Sequence, residues 1–530
     1  MAFSFSSYLT HNSLCLLTLL LLLFLASQSK RCHGFSSFGF DIHHRFSEPV
    51  KGILGIHDVP DKGSREYYVA MAHRDRVFRG RHLAADDIHQ KQLLTFSPDN
   101  ETYQISLFGF LHFANVSVGT PASSFLVALD TGSDLFWLPC NCTKCVHGIQ
   151  LSSGQQIDFN IYNNKRSSTS QIVGCNNSLC EQQSQCSSSS ATCPYQVNYL
   201  SDDTSTTGFL VQDVLHLITD NDYQTKHVDP RITFGCGQVQ TGAFLDGAAP
   251  DGLFGLGMGD ISVPSILAKQ GLISNSFSMC FGIDGSGRIT FGDDNNSLDQ
   301  GKTPFNLKPL HTIYNITVTQ IIVGGNVTDL ELNAIFDTGT SFTYLNNPAY
   351  TQITRSFDSK IKLSRHSSSA SDSLPFEYCY GIRSNQTVEV PNINLTMKGG
   401  DNYFVIDPIV LISGGGANNV LCLGVLKSNN VNIIGQNFMT GYRIVFDREI
   451  NMLGWQESNC YDDEIFNLPV NRSNAHAPAV APAMAANPKV TSSESNDQRR
   501  LPSSHSFEIK PAFAFTVALV LLLAIFLAYL

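Results

Sequence analysis

Two short stretches of the 530-residue chain could do chemistry together. One is Phe125-Leu-Val-Ala-Leu-Asp130-Thr131-Gly132-Ser133, the other Asn333-Ala-Ile-Phe-Asp337-Thr338-Gly339-Thr340-Ser341. In each, an apolar run delivers an aspartate onto a Thr-Gly turn, and a hydroxyl residue follows. A single Asp-Thr-Gly reads as an ordinary Asx turn. Two copies in one setting, 207 residues apart, read as one half-site per lobe of a two-lobed protein. Two carboxylates within hydrogen-bond distance cannot both ionise cheaply, so they share a proton. The ionised one can take a proton from water while the protonated one polarises a carbonyl. Gly132 and Gly339 let the backbone turn tightly and leave an N–H near the carboxylate. The hydroxyls of Ser133 and Thr340 can fix the outer carboxylate oxygens.

The elements that must position these aspartates are short strands separated by turn residues. Phe110–Gly119 alternates and runs into Gly119-Thr120-Pro121 before the first aspartate strand. Later apolar-apolar-Gly segments, Asp251-Gly-Leu-Phe-Gly255-Leu-Gly257 and Asn432-Ile-Ile434-Gly435, follow each Asp-Thr-Gly. Helix-sized pieces lie at Ile261–Gly271 and from Asn347 to Phe357.

With these four motifs in order, and the run from Gly441 to Trp455, residues 105–460 resemble the pepsin-like aspartic proteases, within them the plant nepenthesin-type group. The resemblance implies an all-β, bilobal fold with an active-site cleft between two β-rich lobes. It also implies peptide-bond hydrolysis by the Asp130–Asp337 dyad, supported by Thr131, Gly132, Ser133, Thr338, Gly339 and Thr340. Residues 194–210 resemble the family's flap, a lid over the cleft, with Tyr199 at the flap-tyrosine position and Leu200 where the family has Gly. Trp137 resembles the tryptophan that buttresses the flap; core packing is its other reading. A polypeptide substrate would bind extended, as a monomer's cleft permits. The chemistry calls for neither a cofactor nor a metal.

Composition fits a secreted β-rich protein: 42% hydrophobic, only 15% charged, with a net charge of −11. Residues 1–29 read as a signal peptide, with an apolar block from Leu14 to Ala26. Residues 30–98 read as a pro-segment, carrying 11 Lys and Arg against 8 Asp and Glu, which leaves the remainder at −14. A basic segment facing an acidic body suggests a latch held by charge and loosened by acid. A solvated helical leader is the alternative. Nothing in this balance points to nucleic acid. The N-terminal lobe is placed at 99–300 and the C-terminal lobe at 301–465.

Twelve cysteines remain after Cys15 and Cys32. An even number behind a signal peptide implies disulfides; a zinc site is the rival for the cluster from Cys140 to Cys193. The family resemblance implies Cys145–Cys236, Cys175–Cys193, Cys180–Cys186, Cys280–Cys460 and Cys379–Cys422, leaving Cys140 with Cys142. Ten Asn-x-Ser/Thr sequons occur. Asn115, in a strand, and Asn141, between cysteines, are the least suited. Asn100, Asn176, Asn295, Asn315, Asn326, Asn385, Asn394 and Asn471 are the candidates for glycosylation. Residues 466–510 read as a disordered Ala/Pro/Ser/Asn stalk. Residues 511–530 read as an apolar terminus with no charge after it, the pattern of a glycosylphosphatidylinositol signal; a retained span is the alternative. The expected location is the outer face of the plasma membrane. A catalytically silent binding protein on the same fold is the rival function, against which both Asp-Thr-Gly motifs stand intact.

Overall fold

The computed structural model describes residues 38–55, 60–83, 109–150, 156–199, 204–219, 227–283, 285–292, 300–307, 313–366, 374–383, 386–413 and 418–460. The expected signal peptide, stalk and apolar terminus lie outside them, as do Leu200, Asn100, Asn295, Asn385 and Asn471. Among the described residues no helix is long and apolar enough to cross a membrane.

The described chain is built largely from strands, with few helices. Among the described residues one sheet has 16 strands and a second has 7. The strand Ser123–Asp130 is buried on both faces from Phe125 onward, so it sits centrally. It pairs antiparallel with His112–Val118 and parallel with Leu253–Gly255. The other half repeats this plan. Asn326–Phe336 pairs antiparallel with Asn315–Val323 and parallel with Ile433–Ile434. Each parallel strand brings its glycine segment beside the aspartate.

The helix Ala349–Lys360 starts after Pro348 and buries Ala349, Tyr350, Ile353 and Phe357, one face at helical spacing. The helix Val263–Lys269 carries Pro264 in its first turn, where a missing N–H costs nothing.

The segment expected to be a pro-segment is woven into this architecture. Phe38–Asp41 lies between Ser205–Thr219 and Gly287–Phe291, paired antiparallel with both. Phe38 is 3% and Ile42 1% exposed, within the main core. The helix Arg65–Leu83 follows, and Phe46, Tyr67, Met71 and Ala72 pack with Phe342, Tyr344 and Phe376 of the C-terminal half. Docking is therefore apolar to a large degree. An ion pair, Asp41–Arg288 at 3.0 Å, also crosses from the segment to the body.

The disulfides differ from three of the pairings implied by resemblance and from the Cys140–Cys142 pairing left over. Cys140 bonds Cys236, because Trp137–Lys144 and Arg231–Thr241 are neighbouring parallel strands that bring the two Cα atoms to 4.9 Å. Cys142 then bonds Cys145, a Cys-x-x-Cys loop. Cys175 bonds Cys186 and Cys180 bonds Cys193. Four clustered cysteines allow three connectivities, which spacing alone does not rank. Cys280–Cys460 and Cys379–Cys422 are linked as the resemblance implies.

One sequon is also corrected. Asn394 is only 7% exposed, in the interior of the strand Ile393–Met397 between Asn315–Val323 and Asn402–Val405. A glycan does not fit there. Asn176 and Asn326 are exposed, and Asn315 is half-buried.

Candidate active site

Asp130 ends its strand, and the chain turns at once. The Gly132 N–H donates to Asp130 Oδ1 at 3.0 Å, and Ser133 Oγ donates to Oδ2 at 2.6 Å. The same two bonds recur in the other half: Gly339 N–H to Asp337 Oδ1 at 2.9 Å and Thr340 Oγ1 to Oδ2 at 2.6 Å. Each carboxylate thus has both oxygens held by its own turn. Thr131 and Thr338 meet between the turns, with their Oγ1 atoms 3.4 Å apart.

The glycine segments hold the turns from behind. Leu256 N–H donates to the Asp130 carbonyl at 2.8 Å, and Asp337 N–H donates to the Ile434 carbonyl at 3.1 Å. Gly257 N–H reaches the Ser133 carbonyl and Gln436 N–H the Thr340 carbonyl, both at 2.8 Å. A Cβ on Gly435 would stand 2.1 Å from the Phe342 carbonyl oxygen, and one on Gly255 2.4 Å from the Asp134 carbonyl carbon. Only glycine permits that approach. Asp251 accepts backbone hydrogen bonds from Leu126 and Asn160, each 2.7 Å, and burial pushes its carboxyl up to about 6. Asn432 does the matching work in the other half, accepting from Asn346 N–H at 2.8 Å.

Both aspartates line one cleft of about 790 Å³. Its walls are mixed: Leu135, Ile261, Ile335 and Ile433 are apolar, and Asn198, Asn315 and Asn430 can meet a peptide backbone. Over it stands the hairpin of Pro194–Asn198 and Ser205–Thr219. Tyr199 receives a 2.9 Å hydrogen bond from Trp137 Nε1, and both rings pack edge-on against Phe244. Burial, and next the nearby Asp130, push the Tyr199 phenol well above its ordinary value, so it stays protonated. Trp137 is both core and buttress. Asp134, beside the dyad, is pushed up by burial, against the Gly259 N–H and Arg448. Paired carboxylates fixed by neutral donors at the base of an extended cleft are equipped to activate water by general base catalysis and to polarise a carbonyl.

Three features escaped the sequence reading. The Thr131–Thr338 contact had a signal, a threonine after each aspartate. Arg74 and Asp75 show in the sequence only as charge. The helix Arg65–Leu83 brings them to the reverse side of the Asp337 turn, where Asp75 accepts from Ser341 N–H at 3.0 Å and Ser341 Oγ at 2.8 Å. His112, buried beside them, had no signal at all; burial lowers its imidazole to about 3, with Arg74 adding to the shift and a hydrogen bond to the Thr338 backbone opposing it.

Residues 112–293 match the family described as Xylanase inhibitor N-terminal, and residues 313–457 match Xylanase inhibitor C-terminal. Aspartyl protease family protein 1 of Arabidopsis thaliana is 52% identical over 519 residues, covering 96% of this chain and 99% of that protein. The chain belongs to the pepsin-like aspartic proteases. Aspartic proteinase-like protein 1 of the same plant is 38% identical over 464 residues, covering 84% of each chain. Aspartic proteinase nepenthesin-1 of Nepenthes gracilis is 28% identical over 376 residues, covering 66% of this chain and 78% of that one. Solved structures share the fold. Basic 7S globulin from soybean aligns with a TM-score of 0.50 at 23% identity, covering 66% of this chain and 91% of that one. Conglutin gamma, a basic 7S globulin from lupine seeds, aligns at 0.52 and 20%, covering 66% and 92%. Membership gives both aspartates a family context, since each matched region contains one of them.

Proposed function

We propose that the protein is an aspartic endopeptidase of the secretory route, glycosylated and held outside the cell by a lipid anchor. The observation that carries the catalytic reading is the mirrored geometry of Asp130 and Asp337, each with its own glycine N–H and hydroxyl donor. A water held between the carboxylates loses a proton to the ionised one and attacks the peptide carbonyl, which the protonated one polarises. The tetrahedral intermediate then collapses as the amine takes a proton, and no acyl-enzyme forms. Trp137 and Tyr199 steady the flap side of an extended polypeptide, whose apolar side chains meet Leu135, Ile261 and Ile433.

The test is cleavage of an unfolded protein between about pH 3 and 7, the range in which carboxylates titrate. Asp130→Asn and Asp337→Asn should each lower kcat/KM by about 10²–10⁴-fold with the fold intact. Equal cleavage by the parent and both variants would reject the dyad. The anchor is tested separately, by release of the protein from membranes with a phosphatidylinositol-specific phospholipase. Retention on the membrane after that treatment would favour a spanning segment.

A binding protein with a silent dyad is the second reading, favoured by the descriptions of the two matched families. It predicts no cleavage by a folded chain and capture of a protein partner that survives loss of both aspartates.

A further inference from the structure

Among the described residues of 38–83, none lines the cleft, and the described residues that do line it all come from 130 onward. The segment instead approaches the Asp337 turn from behind. Asp75, with no exposed side-chain surface, accepts from Ser341 N–H at 3.0 Å, Ser341 Oγ at 2.8 Å, Phe342 N–H at 3.2 Å and Tyr344 Oη at 3.2 Å. Arg74 pairs with Asp75 at 2.9 Å and also donates to the carbonyls of Gly339 and Gly109. The backbone from 339 to 342, directly after Asp337, therefore has its outward polar groups satisfied by two residues of the helix Arg65–Leu83. A buried N–H stripped of such a partner is costly. Two further contacts make the segment hard to remove. Phe38–Asp41 is an interior strand whose loss would leave Ser205–Thr219 and Gly287–Phe291 facing a gap. Phe46, Tyr67 and Met71 belong to the apolar cluster around Phe342 and Tyr344.

From these contacts we infer that residues 38–83 are a working part of the protease, in which Arg74 and Asp75 position the Asp337 turn, and that the segment stays bound if the chain is cut downstream of it. They are positioning residues: neither lines the cleft, and they act through Gly339, Ser341 and Phe342. The inference rests on the proteolytic reading for its effect on rate, but not for the binding of the segment.

The experiment uses the full chain with a recognition site for a sequence-specific protease inserted after Gln90. The folded protein is cut there and passed over a gel-filtration column at neutral pH and again at about pH 4. The two pieces should co-elute, and cleavage of an unfolded protein should persist. A segment that leaves while the body keeps or gains activity would overturn the inference and make the segment a removable cap. Co-elution is read without activity, so it decides segment retention even if the chain cleaves nothing, an outcome that would reject the proteolytic reading alone. Asp75→Asn should lower kcat per titrated active site by about 10- to 100-fold with KM little changed, as for a misplaced catalytic group. Asp75→Glu should recover part of it. A correctly folded Asp75→Asn protein with unchanged kcat would overturn the positioning role; if that variant does not fold, the severed chain still decides segment retention, and Arg74→Lys is read in the same way for rate.

Discussion

Thr131 Oγ1 and Thr338 Oγ1 stand 3.4 Å apart across the junction of the two halves, although 207 residues separate them in sequence. Both residues are almost wholly buried, at 3% and 2% exposed. This contact ties one aspartate turn to the other, so the spacing of the carboxylates depends on it. Thr131→Val should lower stability by about 1 kcal/mol, the net worth of one buried hydrogen bond, and so should Thr338→Val. The double variant should lose less than the sum, because both remove the same bond. Chemical denaturation of the four proteins checks this; strict additivity would show that the two hydroxyls do not interact.

The glycine behind the Asp337 turn makes a sharper prediction. Gly435→Ala places a methyl 2.1 Å from a carbonyl oxygen of the backbone, which no rotamer relieves. The cost should be about 3 kcal/mol or more, at the high end for overpacking. Gly381→Ala, where a Cβ would meet nothing within 4 Å, should change stability by no more than about 0.5 kcal/mol. Melting temperatures of the pair test the geometry, and a tolerated Gly435→Ala would refute it.

The buried histidines give stability a pH dependence. Burial lowers the His112 imidazole to about 3, and that of His44 lies well below its ordinary value, from burial first and then from His112, Arg45, Lys62 and Arg74. A depressed folded-state value means that stability is present above the unfolded value of about 6.5 and is lost as the pH falls toward the folded one. The slope is about 1.4 kcal/mol per pH unit per histidine. Asp251 acts in the opposite sense. Its carboxyl, raised to about 6, contributes stability below about 4 that is lost as the pH rises through 6. Denaturation midpoints of the parent and of His112→Gln between pH 4 and 7 separate them: the variant should lose less stability on acidification. Parallel curves would remove His112 from the account.

The revised disulfides are testable by cost. Cys140–Cys236 closes a loop of 96 residues and Cys142–Cys145 one of 3. On loop entropy alone, removing the first pair by double serine replacement should cost about 4–5 kcal/mol and removing the second about 2 kcal/mol. Peptide mapping under non-reducing conditions reads the pairing directly. A peptide joining Cys145 to Cys236 would restore the pairing implied by resemblance.

Tyr199→Phe removes the acceptor of the Trp137 Nε1 hydrogen bond and leaves the ring packed on Phe244. An orphaned buried indole N–H costs about 1–3 kcal/mol. The loss should appear in kcat/KM, about tenfold per 1.4 kcal/mol if it falls on the closed flap. A lower melting temperature with full activity would place the bond in the core alone.

How far the sequence can be read depends on the range of the interaction. Asp130 and Asp337 were legible because local chemistry dictates them: a strand, a turn, a glycine, a hydroxyl, in two copies. The partner segments Asp251–Gly257 and Asn432–Gly435 are legible by order, and the helix Ala349–Lys360 is legible as a helix-sized piece from Asn347 to Phe357. What stayed hidden is set by contacts between distant residues. Whether Cys236 meets Cys140 or Cys145 depends on the register of two parallel strands. Whether Asn394 can carry a glycan depends on strands on both sides of it. The Arg74–Asp75 pair looked like two more charges in a charged run, since nothing local says that a carboxylate four residues before a cluster of basic ones will be wholly buried.

The placement of Phe38–Asp41 sets a schedule for biosynthesis. The strand leaves the ribosome early, but the partners it pairs with, Ser205–Thr219 and Gly287–Phe291, come up to about 250 residues later. At translation speeds of about 5–20 residues per second, that wait is on the order of 10–50 s. Until Ser205–Thr219 has been made, a strand bearing Phe38 and Phe40 has no partner to pair with. The sheet around Phe38–Asp41 is therefore completed only after Gly287–Phe291 has been made.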